Sequence, residues 1–278
     1  MALQSSGAIS LNDIATEFGG TTPHAISEYY RDGGLVPSNN TTVPTSGAID
    51  FADFYDTVSA IVLNITSNTS EYNILTQATA AGYNAATDST PIQVNVQSSA
   101  TVSGSSTYAM RTGALNNNSD LTITVDSGSS ITGYTGANGG SHGAGGSAGG
   151  DGIYVETNTG GSGTLSVVNN GTVSGGGGGG GHGGQSGIRQ NLVYDDGCKC
   201  DTCDGSYIYG SDGSNGSAGG LGQAGGGGGS GSYGGGSASC NIRNPSGGGP
   251  GGAAGYAVRK NSRTVGTSGS GTFNGTAG

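Results

Sequence analysis

The chain has 278 residues, of which 62 are glycine, 31% hydrophobic and 9% charged, with no tryptophan and a formal net charge of −10. Glycine at roughly three times its ordinary usage rules out a fold built wholly on an apolar centre. The only basic cluster, Arg259, Lys260 and Arg263, reads as solvated residues beside a turn, so no nucleic-acid surface is expected.

The opening MALQSSGAISLNDIATEF lacks the basic and apolar segments of a signal peptide. No run approaches the ~18 apolar residues of a membrane span. The reading is synthesis in the cytoplasm, no membrane insertion, and exit by some route other than a cleaved signal, such as lysis.

The first elements come as a repeat. SGAISLNDI at 6–14 matches SGAIDFADF at 46–54. Ser10 followed by Asp13 has the spacing of a capping box, and Ile14 and Phe18 then share one helical face before Gly19-Gly20 ends the helix. A second short helix is expected over 25–31, stopped at Gly33-Gly34. Residues 1–57 therefore form a small α-containing unit. Its apolar and aromatic residues, Ile9, Leu11, Ile14, Phe18, Tyr29, Tyr30, Ile49, Phe51 and Phe54, are the candidates for its core and for docking on something larger.

Residues 58–135 read as a β-rich connecting body. It opens with AIVLNI at 60–65. IQVNVQSSATVSG at 92–104 aligns with LTITVDSGSSITG at 121–133, then with LSVVNNGTVSG at 165–175, and more loosely with YAVRKNSRTVG at 256–266. Each copy is an alternating strand, a polar turn and a second strand of Thr-Val or Ser-Ile type. Such repetition implies stacked coils or a layered sheet.

Residues 136–278 form a glycine-rich head, with tracts at 136–152, 175–187 and 210–255. Each tract lies between strands expected to pair, so it must leave the sheet and return. Two readings compete, a slack linker and an ordered bundle. Polyglycine can adopt a left-handed helix of three residues per turn, as polyproline does. Side by side, such rods satisfy each other's peptide groups, and only glycine permits the approach. The flanking strands favour the bundle.

Cys198, Cys200 and Cys203 are clustered and Cys240 lies across a glycine tract. Two disulfides, a four-thiolate metal site and free thiols are the alternatives. The acids around the cluster raise thiol pKa and disfavour metal, so disulfides are the expectation and no metal or other cofactor is assigned. No catalytic residues are assigned either. No nucleophile elbow or P-loop lysine accompanies the glycine runs, and nothing rigid positions a triad around His142 or His182. The residues suited to recognition are Tyr134, Tyr154, Tyr207, Tyr209 and Tyr233, which offer rigid amphipathic area, together with His142 and His182.

The SGAI repeat resembles an attachment module at the start of virion proteins of tailed bacteriophages. The glycine tracts resemble the polyglycine tip of distal tail-fibre adhesins. The resemblance implies a virion protein of the tail with three parts, 1–57 docking on tail or baseplate proteins, 58–135 connecting, and 136–278 binding host polysaccharide or an outer-membrane protein. It also implies a symmetric oligomer, with a trimer as the expectation. A structural baseplate component without receptor binding is the alternative. The chain departs from the adhesin pattern in carrying its own attachment module and in its cysteine cluster.

Overall fold

The computed structural model describes all residues except 1–2, 32, 34, 38–39, 88, 157–160, 192–204 and 236–238. Among the described residues the chain is mainly β, with little helix.

The N-terminal repeat is a repeat of structure as well as sequence. Ser10 caps α1 (Leu11–Phe18) and shares a reciprocal capping box with Asp13. Asp50 and Asp53 do the same for a 3₁₀ turn at Phe51–Phe54. Ahead of each cap stands a glycine with positive φ, Gly7 at 97° and Gly47 at 92°. Its carbonyl accepts a tyrosine hydroxyl, from Tyr55 and Tyr30 respectively. The helix expected over 25–31 is a 3₁₀ turn confined to Ile26–Tyr29. Ile14, Phe18, Tyr29, Val36, Val43 and Phe54 close into a core of their own. Four of the docking candidates, Ile14, Phe18, Tyr29 and Phe54, are therefore spent inside the unit. Ile9, Leu11, Tyr30 and Ile49 are half-buried, and Phe51 is exposed.

Beyond residue 60 the chain winds into five stacked coils. The first contains β1 (Ile61–Ile65), β2 (Thr69–Ser70) and β3 (Tyr72–Asn73), followed by the unforeseen helix α2 (Ile74–Ala80). The second contains β4 (Ile92–Val96), β5 (Thr101–Ser103) and β6 (Tyr108–Arg111). The third contains β7 (Leu121–Val125), β8 (Ser130–Thr132) and β9 (Asp151–Tyr154). The fourth begins with β10 (Leu165–Asn169) and β11 (Thr172–Ser174). It is then interrupted by a long excursion carrying β12 (Ile188–Asn191), β13 (Tyr207–Tyr209) and β14 (Ser239–Arg243), and resumes at β15 (Val258–Arg259). The fifth contains β16 (Gly266–Ser268) and β17 (Thr272–Asn274).

Three parallel sheets result, in the orders β1-β4-β7-β10-β16, β2-β5-β8-β11-β17 and β3-β6-β9-β15. Alternation along each strand aims every second side chain inward. Ile61, Ile92, Leu121 and Leu165 stack in register, as do Leu63, Val94, Ile123 and Val167. All eight are buried.

The register of β4–β7 and β5–β8 is the one the sequence repeat implies, Ile92 on Leu121 and Thr101 on Ser130. Two expectations change. The fourth copy, 256–266, is not a coil of that type. Its β15 pairs with β9 in a different sheet, and the true last copy is β16–β17, set against β10–β11. Strand pairing also crosses the boundary expected at 135, since β9, β10, β11 and β15–β17 all extend the body. The glycine segments are thus two insertions, β8 to β9 and β11 to β15, leaving the same corner of successive coils.

Candidate receptor-binding surface

The inserted segments run as rods joined by backbone hydrogen bonds at intervals of three residues. We number them 1 (133–140), 2 (144–150), 3 (175–187), 4 (210–222), 5 (223–234) and 6 (245–256). Rod 4 has glycine at every third position, and the amides of Gly210, Gly213, Gly216, Gly219 and Gly222 donate to the carbonyls of Gly187, Gly184, Gly181, Gly178 and Gly175 at 2.8–3.0 Å. Rod 3 also donates to rod 2 (Gly176 to Gly150, Gly179 to Ser147) and to rod 5 (Gly181 to Gly226, Gly184 to Gly229). It accepts from rod 1 (Gly136 to Gly177) and rod 6 (Gly252 to Gly179). Five rods therefore surround it, and Gly175 to Gly181 are all buried.

This position explains the composition. The central rod is approached from every side and reads GGGGGGG, whereas the outer rods need glycine only where they face another rod, as at Gly213 of rod 4, where an added Cβ would lie 1.9 Å from the Gly229 carbonyl oxygen of rod 5. A Cβ added at Gly179 would lie 1.9 Å from the Ala137 carbonyl oxygen, and one at Gly176 1.7 Å from that of Tyr134.

The ring of rods runs 1–2–6–5–4, each step joined by its own ladder. Among the described residues no backbone bond joins rod 4 to rod 1. Side chains fill that gap. The amides of rod 3 facing it, Gly180, Gly183 and Ser186, donate to Asn138 Oδ1 (2.7 Å), Asn215 Oδ1 (2.8 Å) and Asp212 Oδ1 (2.7 Å). Over the gap His142 Nε2 meets Asp212 Oδ2 at 3.1 Å, and the His142 and His182 rings stand edge to face at 5.0 Å. The Ser186 amide, with the His142 side chain, holds the Asp212 carboxyl down at about 2. Among the described residues no group of three or more potential ligands is arranged to hold a metal ion.

Rods 3 to 6 all end against the small antiparallel sheet β13-β12-β14, at the end of the head away from the coils. One face of this sheet lies on the rods, where a Cβ at Gly234 would meet Ile208 Cγ2 at 2.4 Å. The opposite face carries Tyr207 and Tyr209, 55% and 65% exposed with ring centroids 6.4 Å apart. The register shift between β12 and β14 leaves Ile242 as an extra residue on the bulged strand, 51% exposed.

The other recognition candidates are scattered. Tyr233 is engaged in packing, with the Arg189 guanidinium 3.7 Å above its ring and its hydroxyl donating to Asn244. Tyr134 and Tyr154 sit at the roots of the insertions, half-buried and far along the rods from the terminal sheet. Cys240 on β14 is disulfide-bonded. Cys198, Cys200 and Cys203 lie outside the described residues. Sequence reasoning missed Asp212, Asn138, Asn215 and Ile242. The Asx residues had a signal in their spacing, since each falls two residues after a lattice glycine.

The profile of the phage tail fibre adhesin Gp38 family matches residues 60–278. The chain belongs to that family and is a component of the virion tail. No curated protein matches it. Among solved structures, it is similar to the gp37-gp38 adhesin tip complex of the bacteriophage S16 long tail fiber, at 20% identity over 98% of this chain and 99% of that one, with a TM-score of 0.38.

Proposed function

We propose that this adhesin is mounted on the tail by its N-terminal unit, residues 1–57, and touches the host through the terminal sheet of its glycine head. Three parts follow from this reading, the docking unit, the coiled body and the head. The observation that carries it is the exposure of the Tyr207–Tyr209 pair, and of Ile242 on the opposite edge strand of the same sheet, at the end of a platform built on peptide-group hydrogen bonds. Exposed aromatics on a fixed frame bind with little loss of conformational freedom. Repetition of the adhesin on a particle then turns weak single contacts into durable attachment.

The mechanism is binding rather than chemistry, to a surface polysaccharide or an outer-membrane protein. In the N-terminal unit, exposed Phe51 offers a tail or baseplate protein an apolar contact, while the buried residues of that unit hold its shape. The family match begins at residue 60, which supports treating the preceding unit as a separate mount.

The test is binding of fluorescently labelled protein to susceptible bacteria, with blocking of phage adsorption as the second readout. Wild-type protein binds and blocks. The double variant Tyr207→Ser, Tyr209→Ser keeps its circular dichroism spectrum and loses at least about tenfold in apparent affinity. Undiminished binding by that variant would sink the assignment to the terminal sheet. Failure of the wild-type protein to bind any susceptible cell would favour a purely structural role in the virion.

A further inference from the structure

We propose that the outer face of β6 and β9, at the root of the head, holds a second ligand site, one that takes a neutral sugar unit with adjacent hydroxyls. Thr107, Tyr108, Arg111, Asp151, Tyr154 and Glu156 line a pocket of about 330 Å³ there. This is room for one ring of a saccharide and part of a neighbour.

Three features define the ligand class. First, the Tyr108 and Tyr154 rings lie 6.0 Å apart with planes inclined by 33°. Neither hydroxyl has a hydrogen-bond partner among the described residues. Together they offer aromatic faces for the C–H side of a sugar and free phenols for its hydroxyls.

Second, Arg111 is held but not saturated. Its guanidinium lies 5.5 Å from the Tyr108 ring centroid. Its Nη1 stands 3.6 Å from Glu156 Oε1, too far for a good hydrogen bond. Its Nε is buried without a partner among the described residues. A hydroxyl seated between Arg111 and Glu156 accepts from one and donates to the other, the pairing that a sugar alcohol makes and a hydrocarbon cannot.

Third, the charges cancel. Asp151, buried, is gripped by Arg259 through both carboxylate oxygens, Nη2 to Oδ1 at 2.9 Å. Glu156 faces Arg111. With each cation already matched by a carboxylate, a phosphate or sulfate gains no unpaired charge, and a neutral polar ring fits better.

The site is independent of the terminal sheet, so its fate and that of the receptor reading separate in one experiment. Saturation-transfer NMR is recorded on the full chain with D-galactose, D-glucose and N-acetyl-D-glucosamine in turn. At least one sugar is expected to show transfer, weakened about tenfold by Tyr154→Ala or Arg111→Leu. Transfer persists in Tyr154→Phe, which keeps the ring, and in the Tyr207→Ser, Tyr209→Ser variant. No transfer from any of the three sugars overturns the proposal. So does transfer that survives both Tyr154→Ala and Arg111→Leu, or that vanishes with the tip variant alone.

Discussion

The coiled body and the glycine head of one chain solve the same problem with opposite materials. In the body, stacked Ile, Leu and Val side chains leave water, and the backbone ladders follow from their alternation. In the head the peptide groups themselves are the buried matter, and side chains are excluded from the centre. The body therefore tolerates changes that keep volume. The head tolerates changes only where a rod faces solvent, because there the controlling quantity is the distance to the next carbonyl.

Substitutions in matched positions sharpen this contrast. Gly179→Val places branched carbon where the Ala137 oxygen already lies 1.9 Å from an added Cβ. The expected cost exceeds about 4 kcal/mol. Amide exchange should show loss of protection along rods 1 to 6 while β4, β7 and β10 stay protected. Its counterpart Ile123→Ala, in the body core at 0% exposure, costs about 3 kcal/mol as a cavity and lowers the body's melting transition. If Gly179→Val instead left the head protected, the claim of a load on close backbone contact would fail. Gly247→Ala is the control. It has nothing within 4 Å of an added Cβ, and its stability should hold or rise slightly.

How much of this was visible beforehand depends on the kind of signal. The capping pair Ser10 and Asp13 and the coil repeat from Ile92 to Leu121 were legible, because local hydrogen bonding and period-two alternation are written in neighbouring residues. The last coil was not, because Gly266-Thr-Ser carries no apolar alternation and is recognised only through its partner β10. The helix α2 is not legible because its seven residues, ILTQATA, lie within a strand-rich stretch. The glycine tracts between strands are legible as packed rods, but which rods become neighbours is long-range information. The gap beside rod 3 and its Asx filling were therefore hidden. So was the fate of Tyr134 and Tyr154, since glycine spacing does not say which end of a rod lies near the body.

Smaller effects test the gap itself. Asn215→Ala removes the acceptor for the Gly183 amide and should cost about 1 kcal/mol, moderated by access of water to this exposed position. Faster exchange at Gly183, with Gly181 unchanged, is the specific readout.

The smallest expected effect is one of pH. The folded Asp212 carboxyl titrates at about 2, below its reference of 3.8. A depressed carboxyl adds stability that is complete above about pH 4 and fades as pH falls toward 2. Thermal unfolding of the wild type across that window should decline more steeply than that of Asp212→Asn, and parallel curves would remove Asp212 from the account.

The all-glycine centre of rod 3 has a thermal consequence. The heat-capacity change of unfolding grows with apolar surface exposed and shrinks with polar surface. Rods whose hidden atoms are mostly peptide groups contribute little to that increment. The free-energy curve of the head against temperature is accordingly shallow, and the weakening of oil-like cohesion in the cold bears on the coils rather than on the tip.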